Sequence, residues 1–257
     1  MMFRTTEITS PELTSDNPLH QRLLKPYIEI APTLHGNLLE VGCGVGRGLE
    51  ILRNHCDTYT GIDKNAKLID WLKGEYPAEN FIAMHIPPFA ELEDNTYDFL
   101  VNFQVIEHIQ DDDKYVSEIY RVLKPGGKAI FTTPNRKRSL TRNPWHVREY
   151  FSGELIGLLR KYFPEVDAKG IAGNEKIEEY LKANKESVEK ITRWDFLKLQ
   201  YRLPRWMLQV PYDVLNRVNR NKLQSQAEGL VIEIKDTDYF LTDDLDNCLD
   251  FYFIATK

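Results

Sequence analysis

The run Leu38-Leu39-Glu40-Val41-Gly42-Cys43-Gly44-Val45-Gly46, followed about seventeen residues later by Gly61-Ile62-Asp63, fixes more of this chain than any other feature. An apolar strand, a glycine turn that opens a helix, and an acid closing the next strand call for an α/β fold with strands in parallel. The glycines let backbone N–H groups approach a ligand that a side chain would exclude, and Asp63 can accept hydrogen bonds from both hydroxyls of a ribose. This is the framework of a nucleoside-binding site. Dinucleotide-binding turns run Gly-x-Gly-x-x-Gly, but Arg47 stands where the third glycine belongs, and Gly46 and Gly48 fall out of that register. Glu40, just ahead of the turn, would repel a pyrophosphate and favour a cation. S-adenosylmethionine carries an ammonium and a sulfonium and no phosphate.

The alternation continues along the chain. Leu23 to Leu34 has helical spacing, and a short buried strand at 38–41 precedes the turn. A helix from about 47, a strand at 58–62, a helix at 64–73 and strands at 80–84 and 97–102 follow. Val116, Ile119, Tyr120 and Leu123 recur at i, i+3, i+4 and i+7, one face of a helix that Lys124-Pro125-Gly126-Gly127 stops before a strand opens at Lys128. Cys248 to Ala255 reads as one more strand, so a mostly parallel sheet covered on both faces is expected.

Acid-x-Gly-x-Gly-x-Gly with an acid after the next strand resembles the first motif and its sequel in class I S-adenosylmethionine-dependent methyltransferases. The segments Phe81-Ile82-Ala83-Met84-His85, Asp94 through Ile109, and Leu123-Lys124-Pro125-Gly126-Gly127 resemble the successive motifs of the small-molecule, type 11 subgroup. That subgroup includes ubiquinone- and menaquinone-biosynthesis methyltransferases, and the likeness covers roughly residues 17 to 171. It implies a doubly wound, Rossmann-like, seven-stranded, mostly parallel sheet with an antiparallel last strand. In the family the last two strands form a hairpin. Here Val166 to Ile171 is the expected partner of the terminal strand, so about seventy residues are inserted between them.

The implied organisation is an N-terminal arm and helix at 1–36, a cofactor-binding domain at 37–171 and 245–257, and a helical insertion at 172–244 that caps the acceptor side. The insertion carries apolar bulk, including Trp194, Trp206 and Met207, that must pack on something. At 257 residues the chain is long enough for one large α/β domain with such an elaboration. A net charge of −6 argues against a duplex nucleic acid partner. The 3 cysteines, Cys43, Cys56 and Cys248, are widely spaced and support neither a disulfide framework nor a zinc site. Met1 to Leu19 lacks the apolar centre of a signal peptide, and no stretch approaches the ~20 apolar residues of a membrane span. A cytoplasmic enzyme is expected.

The resemblance assigns the cofactor to Glu40, Gly42, Cys43, Gly44, Asp63, Lys64, Met84, His85 and Phe103. Glu40 helps place the cationic methionine end, Phe103 lines the methionine moiety, and the adenine amino group is received either by the imidazole of His85, where the family often has an acid, or by backbone at Met84 and Ile86. In some ubiquinone-pathway relatives the positions of Gln104, Glu107 and His108 are acid, acid and histidine and hold a divalent metal. With Gln104 in place of the first carboxylate, no metal is expected. Asn143-Pro144-Trp145-His146-Val147-Arg148-Glu149-Tyr150 resembles a segment of bacterial small-molecule methyltransferases, some associated with glycan or lipid modification. There His146 is either a general base or a loop anchor. Arg136, Lys137, Arg138 and Arg142 either hold an anionic acceptor or form a solvated loop. The expected activity is methyl transfer to oxygen, nitrogen or carbon of a small molecule. The alternatives are a cofactor-binding protein without catalysis and a dinucleotide-dependent oxidoreductase.

Overall fold

The computed structural model describes residues 13–193, 195, 199–226 and 228–257; Trp194 lies outside them. The chain divides into two compact units.

The sheet unit comprises residues 26–137, 147–171 and 241–257. Its strands are β1 (Asn37–Val41), β2 (Thr58–Asp63), β3 (Asn80–Ala83), β4 (Tyr97–Phe103), β5 (Leu123–Pro134) and β6 (Glu165–Gly173), joined late by β7 (Tyr239–Thr242) and β8 (Asp250–Thr256). They order as β3-β2-β1-β4-β5-β8-β6-β7. From β3 through β5 every pairing is parallel, while β8 runs antiparallel to both neighbours, Phe253 lying opposite Phe131 on one side and Ala168 on the other. The sheet therefore has one strand more than the expected seven. The extra strand, β7, is four residues of a stretch read as helical insertion.

The central strands are apolar on both faces because helices α2 (Leu49–Leu52), α3 (Ala66–Glu75), α4 (Asp112–Val122) and α5 (Ser152–Leu159) cover them. Leu39, Leu100, Phe131 and Phe253 join Tyr115, Ile119, Leu159 and Phe163 in the buried core. Helix starts follow their caps: Asp111 accepts from Lys114 N–H at 3.0 Å and opens α4. The expected stop after α4 is present, but β5 begins at once, pairing Leu123 with Tyr97 before the register shifts and resumes at Lys128 opposite Phe99. Gly126, with φ +81°, makes that excursion possible.

One ion cluster pins the loop after β3. Glu118 accepts from Phe89 N–H at 2.9 Å and from Arg121 at 3.0 Å, and Arg121 also donates to the carbonyls of Leu92 and Phe89. Burial alone would raise the Glu118 carboxyl; Arg121, the Phe89 amide and Lys114 outweigh it and hold the group at about 2.

The helical unit comprises residues 13–25, 138–146 and the described part of 172–240. It holds α6 (Glu175–Thr192), α7 (Leu199–Arg202), α8 (Arg205–Gln226), α9 (Glu228–Glu233) and the start of α1 (Asn17–Ile30). Asp16, fully buried in a 3₁₀ turn, accepts from Arg217 at 2.8 Å and Arg220 at 3.1 Å on α8. Asn17 donates to the carbonyls of Val231 and Ile234, and Tyr239 to that of Pro18. These bonds hold the first residues of α1 and the turn before it against the insertion. No helix among the described residues is long and apolar enough to cross a membrane.

Candidate functional site

The glycine turn leaves the end of β1 with three residues in the left-handed region, Gly42 at φ +74°, Gly44 at +53° and Gly46 at +74°. That conformation strains any residue with a Cβ. Gly42 and Cys43 donate to the carbonyl of Ile62 at 2.8 and 3.1 Å, which ties the turn to β2. Asp63 completes the arrangement: its Oδ2 accepts from Gly44 N–H at 3.0 Å and its Oδ1 from Asn65 N–H at 2.8 Å. Each carboxylate oxygen keeps a further lone pair for a diol. Gly42, Gly44 and the nearby Gly48 differ in what surrounds them. A Cβ on Gly42 would sit 2.6 Å from Val105 and one on Gly48 1.9 Å from the Tyr27 ring, whereas one on Gly44 would meet nothing nearer than a carbonyl at 4.0 Å. The space over Gly44 is open.

Glu40 lies buried beneath this turn, on β1. Tyr27 of α1 donates to its Oε1 at 2.8 Å and Tyr59 of β2 to its Oε2. Phe103 packs its ring edge-on against Tyr27 with centroids 4.7 Å apart. Burial raises the Glu40 carboxyl to about 7, against the pull of the two phenols and Arg47. Burial likewise pushes the Cys43 thiol far above its ordinary range, so it is a packing residue rather than a nucleophile. Neither tyrosine was evident from the sequence; their hydroxyls come from separate elements, and no local spacing announces them.

The raised value has a measurable consequence. A carboxyl whose folded pKa of about 7 exceeds its unfolded value adds no cost below the unfolded value. As pH rises from the unfolded value through 7 it withdraws about 3 kcal/mol from stability. Glu40→Gln removes this dependence. Urea denaturation at acid and alkaline pH is expected to show the variant gaining on the native chain above neutrality. Parallel curves would show that Glu40 titrates normally.

Met84 is buried, its N–H donating to Asp63 O at 2.9 Å; His85 beside it is exposed. Lys64 directly follows Asp63 in the link to α3. Gln104 adopts φ +58° and donates to Thr132 Oγ1 at 3.3 Å, while buried Glu107 accepts from Thr133 Oγ1 at 2.9 Å. The Glu107 carbonyl receives Val147 N–H at 2.7 Å and Arg148 N–H at 3.2 Å, so this segment holds the chain that follows His146.

His146 falls in the helical unit, whereas the other assigned residues fall in the sheet unit. Its loop is tied to the insertion: Arg142 donates to the carbonyls of Gln200 and Leu203, Trp145 Nε1 to Asp213 at 3.3 Å, and Arg205 to the His146 carbonyl at 3.2 Å. Asn143 Oδ1 accepts from Trp145 N–H at 3.0 Å, so its Nδ2 faces His146 Nε2 at 2.8 Å. Nε2 therefore carries the lone pair, and the ring proton resides on Nδ1. The basic run is engaged in ties of its own. Arg136 stacks over Phe151, Lys137 pairs with Asp246, Arg138 with Glu178 and Arg148 with Asp112.

Residues 39–131, which contain the turn and Asp63, match the family model described as a methyltransferase domain. A protein of Mycolicibacterium smegmatis named "Probable S-adenosylmethionine-dependent methyltransferase" is 34% identical over a stretch covering 63% of this chain and 65% of its own. The ubiquinone biosynthesis O-methyltransferase of Coxiella burnetii is 33% identical over 46% of this chain and 53% of its own. The chain thus spans less than two thirds of these curated relatives. Among solved structures, a SAM-dependent methyltransferase from Archaeoglobus fulgidus covers 93% of both chains at a TM-score of 0.56 and 18% identity, a likeness of fold. The resemblance to class I methyltransferases and the α/β fold it implies are both upheld.

Proposed function

We propose that this chain transfers the sulfonium methyl of S-adenosylmethionine to a small-molecule acceptor. The observation that carries the proposal is the open space over Gly44, bounded by a diol-accepting Asp63 and underlain by Glu40. A nucleoside fits there because only a glycine at that position leaves the backbone approachable, and a cation is favoured because a nearby positive charge draws Glu40 into its ionised form.

In this reading Asp63 holds the ribose and the turn orients it, with Cys43 and Lys64 flanking. Phe103 and the Glu40–Tyr27–Tyr59 group form the floor at the cationic end, and Met84 and His85 receive the adenine. The cofactor supplies an already activated methyl, so the chain's own contribution is alignment, exclusion of water and, for a hydroxyl or acidic carbon, removal of a proton. The helical unit, which carries the His146 loop, is assigned acceptor recognition. His146 Nε2 is the base in this assignment. A glycan- or lipid-related acceptor is supported by the likeness of the His146 segment, and an anionic one by the basic side chains Arg136, Lys137, Arg138 and Arg142.

Calorimetric titration tests the proposal. S-adenosylhomocysteine should bind the native chain and NAD should not; the reverse would identify a dinucleotide enzyme. Asp63→Ala should weaken S-adenosylhomocysteine binding roughly 10- to 100-fold, the worth of a charge-assisted hydrogen bond of about 1.5–3 kcal/mol. Unchanged affinity would remove Asp63 from the ribose site.

A further inference from the structure

Helix α8 is amphipathic in an inverted sense. Its inward side, with Leu223 and Asn219 buried, packs against α6, α9 and the 3₁₀ turn at Thr14–Asp16. The outward side of a surface helix is ordinarily polar. Here it carries Trp206, Val210, Val214 and Val218, at successive four-residue steps and 72%, 71%, 57% and 56% exposed, with Met207 and Leu215 beside them. Only the last turns revert to type, with Asn221, Lys222 and Ser225 exposed. Tyr201 and Leu199 on α7 extend the exposed apolar side chains towards the N-terminal end.

The charges around this stripe indicate what covers it. In a chain of net charge −6, the segment 199–226 holds Arg202, Arg205, Arg217, Arg220 and Lys222 against the one acid Asp213, and Asp213 is engaged by the Trp145 indole. Arg202 and Lys222 are exposed at the two ends of the stripe. Arg217 and Arg220 are engaged by Asp16 and Arg205 by the His146 carbonyl, so a second copy of the same face would bring Arg202 and Lys222 against their counterparts with no free acid of this segment to offset them, which disfavours self-association. An apolar stripe that includes a tryptophan along one face of the helix, with an arginine and a lysine at its two ends, matches a helix lying in a lipid headgroup region with that face towards the acyl chains and the cations at the phosphates.

We infer that the outward face of α8 docks in the plane of an anionic lipid bilayer, seating Trp206, Val210, Val214 and Val218 among the acyl chains, with Arg202 and Lys222 at the phosphates. The inference stands apart from the methyl-transfer proposal, because it needs no cofactor. It is tested by flotation of the full chain with vesicles of phosphatidylcholine alone or doped with phosphatidylglycerol. The native chain should float with the doped vesicles and lose at least ~10-fold in partitioning when they lack phosphatidylglycerol. Val210→Glu with Val214→Glu should lose binding by a similar factor, with an unchanged circular dichroism spectrum. Because that pair could disturb the helix, Arg202→Glu with Lys222→Glu, outside the stripe, should also lower binding to the doped vesicles. Equal flotation with both vesicle types, or indifference to the charge-reversal pair, overturns the inference. So does a dimer in sedimentation equilibrium that Val210→Glu with Val214→Glu dissociates while the native chain ignores vesicles.

Discussion

Gly44→Val is expected to abolish S-adenosylhomocysteine binding, by more than ~100-fold or about 2.7 kcal/mol, while the far-ultraviolet circular dichroism stays that of the native chain. The separation of the two effects follows from where a side chain would go. At φ +53° a β-branched residue costs about 1–2 kcal/mol of backbone strain, which a domain of this size survives. The Cβ itself has room, its nearest neighbour being the Gly42 carbonyl at 4.0 Å. The two methyls beyond it occupy the space proposed for the nucleoside. Gly48→Ala makes the opposite control, because its Cβ would fall 1.9 Å from the Tyr27 ring and must displace a partner of Glu40, so folding suffers first. Native affinity in the Gly44 variant would place the ligand elsewhere.

His146→Ala is expected to lower methyl transfer by ~10²- to 10⁴-fold, the usual worth of a positioned base, with S-adenosylhomocysteine affinity nearly intact. Transfer can be followed as radiolabelled methyl incorporated into small-molecule and lipid extracts, before the acceptor is identified. The tautomer sets a condition on the role: the Asn143 amide, fixed by Trp145 N–H, donates into the one lone pair of Nε2, so that atom takes a proton from an acceptor only once the Asn143 bond is given up. Asn143→Ala should therefore alter the acid limb of the pH–rate profile without removing activity. A profile that His146→Ala leaves unchanged would make the residue an anchor of its loop.

The glycine turn and Asp63 were legible because their chemistry is local: strand, turn and acid lie within one β-α-β unit, and only glycine tolerates those backbone angles. The helix of α4 was legible for the same reason, an apolar face and a proline-glycine stop within one stretch. What could not be read depends on distance along the chain. Glu40 looked like a ligand-facing acid; the structure adds that both its oxygens serve hydroxyls from Tyr27 and Tyr59, 13 and 19 residues away. Asp16 meets Arg217 across 201 residues, and nothing in either neighbourhood signals the pair. β7 was missed because Tyr239-Phe240-Leu241-Thr242 is too short for alternation to register, and it closes a run of helices. The basic run after β5 suggested an anion site by density of charge alone, whereas its members are taken up in separate ties.

The position of β8 bears on how the chain is made. Strand β5 is complete at residue 134, yet the neighbour that pairs with its far edge starts at Asp250. On a ribosome adding ~5–20 residues each second, that interval lasts roughly 6–25 s. Throughout it the backbone N–H and C=O groups on that side of Ala129, Ile130 and Phe131 lack their eventual partner, as does β6, which reaches the sheet through β8. A strand edge this apolar is a template for another chain in the same state. Synthesis is therefore the vulnerable period of this protein's life, and yield at elevated temperature should respond to chaperone supply more than to the stability of the finished fold.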